Sequence, residues 1–65
     1  MDKIRIGRWQ SRGGKYWIEL YRDEFGYGYR GDNCGGYIGD VTESLALAKI
    51  AAEIECWPSK GYKVT

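Results

Sequence analysis

The sequence predicts an α+β domain: a three-stranded antiparallel sheet packed on one C-terminal helix, with a short fourth strand after it. Three observations carry this. Apolar residues alternate through 3–9 and 15–22, the period of a half-buried strand. Glycine-rich clusters separate the alternating segments. After Asp40 the apolar period changes to that of a helix. The chain has 65 residues, which predicts one domain over 1–65 with a small core.

Each element follows in order. In KIRIGRW (3–9), Ile4 and Ile6 take one side, and Lys3, Arg5 and Gly7 the other. Ser11 to Gly14 is a turn, because Gly13-Gly14 supplies positive φ without a Cβ clash. In KYWIELYR (15–22), Tyr16, Ile18 and Leu20 share one face; Trp17, Glu19 and Tyr21 share the other. Residues 23–26 turn again. Tyr27-Gly28-Tyr29 opens a third strand. Residues 31–36 form a loop or a wide hairpin turn, after which Tyr37 and Ile38 extend or resume the sheet.

Asp40-Val41-Thr42-Glu43 fits a capping box with Asp40 as the cap. The helix runs from about Val41 to about Cys56, where Trp57-Pro58 stops it. At about 100° per residue, Leu47, Ile50, Ala51 and Ile54 form a core stripe. Val41, Leu45, Ala48 and Ala52 form a second stripe on nearly the opposite side. Either the 31–39 loop or the tail covers that second stripe, or it is an exposed strip used by a partner or a second copy of the chain. A homodimer through Leu45, Ala48 and Ala52 is the expectation for the second case. Residues 61–65 supply the short final strand.

Composition narrows the function classes. There is no histidine, so histidine-ligated zinc and Ser-His or Cys-His catalysis are excluded. A chain this short hardly builds an enzyme's cleft. Two cysteines, Cys34 and Cys56, cannot complete a four-ligand zinc site. No metal and no cofactor is expected. MDKIRIGRW has no apolar run and nothing approaches a membrane span of about 20 residues. The expectation is a cytoplasmic protein with free thiols and no membrane contact.

Gly26 to Gly31 spells G-x-G-x-x-G, but the helix begins about ten residues too late for a dinucleotide fold. Arg30-Gly31-Asp32 reads as a polar turn between strands. Charge is more informative. The net value is +1, yet residues 1–22 carry six cations against two acids, and residues 23–57 carry two cations against seven acids. The basic front and acidic back either meet within the fold or form two surface patches that steer partners.

The helix covers one face of the sheet, so the other is the candidate binding surface. Alternation places Arg5, Trp17 and Tyr21 there, with Arg8 and Trp9 at the edge. Aromatics interleaved with arginines are typical of contact surfaces. Two accounts of Trp17 stay open, surface or core. Tail residues Trp57 and Tyr62 packing over this face would make it core.

KYWIELYR, then a glycine-rich turn, then GGYIGDVTESLALAKIAAEI resembles the outline of AP2-type and integrase arm-binding DNA domains over residues 5–55. Trp17, Glu19, Gly39, Thr42 and Ala48 sit where that pattern has them. The resemblance implies a sheet face that reads DNA. The dense basic residues of that family are thinned here to Arg5, Arg8, Arg12, Lys15, Arg22 and Arg30, and Glu19, Asp23 and Glu24 repel phosphate. The β-β-β-α-(β) plan, the strand EFGYGYRG and the lack of a catalytic set are also similar to small phage-encoded inhibitors of host defence, of the anti-CRISPR type. That resemblance implies a non-enzymatic protein, acting in the host cytoplasm, that blocks a host protein or ribonucleoprotein complex. DNA is the alternative partner.

Overall fold

The computed structural model describes residues 3–65. Five strands and one helix follow one another: β1 (Ile4–Ser11), β2 (Trp17–Asp23), β3 (Gly26–Gly31), β4 (Gly35–Gly39), α1 (Glu43–Glu55) and β5 (Gly61–Lys63). The sheet is antiparallel throughout, in the order β4-β3-β2-β1-β5. The α+β class and the helix in the C-terminal part stand as expected. The sheet is larger than the expected three strands plus one. Tyr37 and Ile38 belong to a full strand, because the 31–36 segment closes a tight hairpin: Gly31 N–H donates to the Cys34 carbonyl at 2.7 Å. The final strand is also present, on the far edge.

Helix α1 joins the two edges. The chain leaves β4 at one side and must reach β1 at the other. Four strand spacings make about 19 Å, and 13 residues of helix make about 19–20 Å. The helix is therefore a diagonal strap over one face, in contact with β2 and β3.

Beneath it lies the core: Ile18, Leu20, Tyr27, Ala46 and Ile50. Ile6, Trp9, Tyr29, Ile38, Val41, Ile54 and Trp57 pack around these. Three expectations are corrected here. Ile4 has the parity of the helix face but lies at the sheet end, beyond the reach of the helix, and is 64% exposed. The helix is rotated from its expected setting: Ala46 and Ile50 face inward, while Leu47 and Ala51 are exposed. A small residue at 46 lets the helix axis approach the sheet where Leu20 and Tyr27 already fill space. The cap is Thr42, not Asp40; its Oγ1 accepts from Leu45 N–H at 3.2 Å.

The second stripe remains open. Leu45, Ala48 and Ala52, with Tyr37, Ile38 and Val41 alongside, border a shallow groove of about 480 Å³. Trp57 packs on the helix side, stacked on Tyr16 with ring centroids 6.1 Å apart, so it does not cover the open face. Tyr62 lies opposite Gln10 at the sheet edge and is 49% exposed.

A bulge controls the parity of β1. Arg5 is opposite Tyr21, but Gly7 is opposite Leu20, so Ile6 is the extra residue. Ile6 and Gly7 both turn to the helix side. Glycine is required at 7, because a Cβ there would meet the Trp9 ring at 2.9 Å. The β2–β3 turn also depends on a glycine. Gly26 has φ +135°, and a Cβ would lie 2.3 Å from the Gly39 carbonyl oxygen.

Cys34 sits in the β3–β4 turn and Cys56 caps the helix; both are free and exposed. Desolvation, aided by Glu53 and Asp32, pushes the Cys34 thiol above its ordinary range, which keeps it protonated and weakly nucleophilic at neutral pH. No described helix is long and apolar enough to cross a membrane.

Ile18 is 1% exposed at the centre of the core. Ile18→Ala is expected to cost about 2–4 kcal/mol, read as a shift of the urea unfolding midpoint. An unchanged midpoint would contradict the assigned parity of β2.

Candidate functional site on the open sheet face

The face away from the helix is built by cross-strand register. Strand β2 contributes Trp17, Glu19 and Tyr21. Strand β1 contributes Arg5, Arg8 and Gln10, opposite Tyr21, Glu19 and Trp17. Strand β3 adds Arg30 opposite Glu19 and Gly28 opposite Tyr21. Strand β4 adds Tyr37 opposite Gly28. Arg8 is on this face only because of the bulge. Uninterrupted alternation after Arg5 would have turned it toward the helix.

Glu19 is the hub. Its side chain is 5% exposed and takes contacts from three strands. Arg8 Nη1 donates to Oε2 at 2.7 Å, and Arg5 Nη1 to the same oxygen at 3.3 Å. Arg30 Nη2 donates to Oε1 at 3.3 Å, and the Tyr21 hydroxyl donates to Oε1 as well. The surroundings are partly dry, which pushes the carboxyl pKa up. The hydrogen bonds from Tyr21, Arg8 and Arg30 outweigh this and hold it at about 2, against an ordinary 4.5. The same bond, with desolvation behind it, raises the Tyr21 hydroxyl above its ordinary range.

The guanidiniums also lie over rings. Arg8 Cζ is 4.5 Å from the Trp17 ring centroid, and Arg30 Cζ is 6.0 Å from it. Arg30 is 5.7 Å from the Tyr21 ring and Lys3 Nζ is 6.0 Å from it. Trp17 is thus half-buried by arginine, not by the core, and belongs to the open face. Arg8, Trp17, Tyr21 and Arg30 are each held by at least two neighbours.

Of the five expected site residues, the structure brings together Arg5, Arg8, Trp17 and Tyr21. Trp9 is corrected. The bulge turns it to the helix side, opposite Ile18, where it packs against the core under Lys63. Arg30 and Tyr37 were missed; Lys3, read on the outward side with Arg5, was not counted in the site. Arg30 and Tyr37 follow β2 through turns whose length fixes their parity, and that length was not readable. The signal for the bulge was present: a glycine inside a strand pattern at Gly7.

Four cations (Lys3, Arg5, Arg8, Arg30) stand here against Glu19 and Asp23. Most acids lie in the turns and on the helix: Glu24, Asp32, Asp40, Glu43, Glu53 and Glu55. Half of the basic front of the sequence, Lys3, Arg5 and Arg8, thus lies on the open face, while Arg22 lies on the helix side over the Tyr27 ring. Among the described residues, no three His, Cys, Asp or Glu side chains converge on a point. What the face offers is pre-positioned charge and aromatic area. Compared with known proteins, the chain matches no family model, no curated protein and no solved structure.

The Glu19 pKa in the folded chain lies below its unfolded value. Its stabilising contribution is therefore full above about pH 4.5 and is lost as pH falls toward 2. The melting temperature is expected to drop through that window. Glu19→Gln should cost about 1.5–3 kcal/mol at neutral pH and should flatten the drop, as followed by circular dichroism. A parent and variant with parallel pH profiles would remove Glu19 as the hub.

Proposed function

We propose that this chain is a non-enzymatic binding protein that docks its open sheet face on the acidic surface of a larger protein complex and blocks it stoichiometrically, in the manner of small phage-encoded inhibitors. The observation that carries this reading is the pre-organised cluster around Glu19. Trp17 is fixed between Arg8 and Arg30, so little side-chain entropy remains to be lost on binding. A rigid half-buried tryptophan ringed by arginines has the composition of a protein hot spot.

The chemistry favours protein over duplex DNA. The guanidinium nitrogens that point inward already donate to Glu19. A run of duplex phosphates would need the inward nitrogens of several of these arginines at once, and Glu19 already takes them. A single acidic protein side chain can instead approach the outer nitrogens of Arg5 and Arg30, whose side chains are 45% and 66% exposed. DNA binding through the same face, as in AP2-type domains, is supported by the excess of cations alone.

Trp17→Ala is expected to cost about 2 kcal/mol or more of binding with little change in melting temperature. Charge reversal at Arg5 should mainly slow association. The measurement is a pull-down from bacterial lysate with and without nuclease, comparing parent and Trp17→Ala, followed by a salt titration of the recovered partner. A nuclease-resistant protein that the variant fails to recover is the expected result. Recovery abolished by nuclease, with a steep salt dependence, would overturn the protein reading in favour of DNA.

A further inference from the structure

Beside the Trp17 cluster, the same face carries a cavity of about 280 Å³. It is a slot across three strands. Tyr21 on β2 and Tyr37 on β4 form its walls, and Gly28 on β3, directly opposite both, is its floor. Lys3 and Arg30 stand at its rim, with Asp23 beyond Tyr21 on the same strand face. The backbones of the two tyrosines are two strand spacings apart, about 9–10 Å, and the Tyr37 ring leans in over Gly28, its Cδ1 3.8 Å from where a Cβ at 28 would stand. A flat ring placed between them would lie within the roughly 4.5–7 Å centroid distance at which aromatic rings attract. Any side chain at 28 longer than glycine's would project into that space.

The tyrosines are fixed by their hydroxyls. Tyr37 donates to the Phe25 carbonyl and Tyr21 donates to Glu19. Both hydroxyls are therefore engaged, and ring surface is what the tyrosines offer the slot, with Lys3 and Arg30 beside the Tyr21 ring at 6.0 and 5.7 Å. The charges are of two kinds. Lys3 and Arg30 offer cationic donors. Asp23, whose Oδ1 accepts from Phe25 N–H at 2.8 Å, keeps a second oxygen as an acceptor. A ligand that satisfies all of these has a planar ring, an N–H donor on one edge and an anionic group several ångströms away.

We infer that this slot binds a nucleotide, with the base between Tyr21 and Tyr37, an edge N–H on Asp23 and the phosphate on Lys3 and Arg30. The inference goes beyond the protein-docking reading. Its distinctive parts, Gly28 and Tyr37, lie outside the Trp17 cluster. Two sources supply this chemistry, a free nucleotide and an unpaired base of a single strand.

The test is titration of the parent with adenosine, cytidine, guanosine and uridine 5′-monophosphates, with ribose 5-phosphate, adenosine and inorganic phosphate alongside. Binding is followed by NMR shifts of the Tyr21 and Tyr37 ring protons. At least one mononucleotide should bind about tenfold or more tighter than ribose 5-phosphate, the scale of one stacked base. Tyr37→Ala should abolish that margin, and Tyr37→Phe, which keeps the ring, should retain it. Lys3→Gln should weaken the nucleotide and leave adenosine unchanged. An octanucleotide arm identifies the source: tighter binding than the monophosphate, lost in Tyr37→Ala, assigns a strand base, and equal binding assigns the free nucleotide. Ribose 5-phosphate binding as well as the nucleotides, no shift of the tyrosine protons, or a Tyr37→Ala variant that binds like the parent would each overturn the inference.

Discussion

Everything on the open face depends on a single buried carboxylate. Glu19 sits at the middle of the central strand, among groups that would leave three guanidiniums repelling one another if it were absent. A carboxylate held off water is costly on its own, and arginines crowded together are costly on their own. The two costs offset each other here, because each oxygen of Glu19 accepts from at least two donors. The partners come from β1, β2 and β3, so the cluster also fastens the three central strands on the side that has no helix. A sheet whose second face lacked such a fastening would be held by backbone ladders and the core side alone.

The other face is organised by length. Thirteen helical residues match the sheet's width, so the chain can leave one edge and return at the opposite edge without a long loop. That route gives β1 its second partner, β5, and makes β2 and β1 interior strands. It also segregates charge. The acid-rich helix covers one side, and three of the six cations of the first 22 residues, Lys3, Arg5 and Arg8, stand with Arg30 on the other. The protein is nearly neutral as a whole, yet its open face carries four cations against two acids.

Much of this was legible in the sequence. Strand β2 was, because KYWIELYR alternates without a glycine or a bulge, and its inward set Ile18 and Leu20 and outward set Trp17, Glu19 and Tyr21 follow from parity alone. The presence of the helix was equally legible; its rotation was not. Leucine at 47 outweighs alanine at 46 in any hydrophobic count, yet closeness to the sheet favours the smaller residue. Strand β4 was half legible, since GGYIG has little strand propensity and is held by pairing with β3. Strand β1 was misread beyond Arg5. Its apolar positions fit plain alternation up to Ile6, and the displacement of Trp9 depends on a register that only the partner strand reveals. Arg30 and Tyr37 join the site through the sheet's third and fourth strands, a non-local fact that no window of sequence contains.

The bulge at Ile6 makes β1 a strand with a phase. Upstream of it, odd positions look one way; downstream, even positions do. Residue identity on either side can drift, as long as the step between the two phases stays in place. Straightening the bulge at constant length would exchange Arg8 and Trp9 between solvent and core, whereas deleting Ile6 would remove the extra residue and leave both where they are. For related chains, the trait to follow is therefore the spacing of the two β1 arginines, three with a bulge between them or two without, more than the letters that surround them.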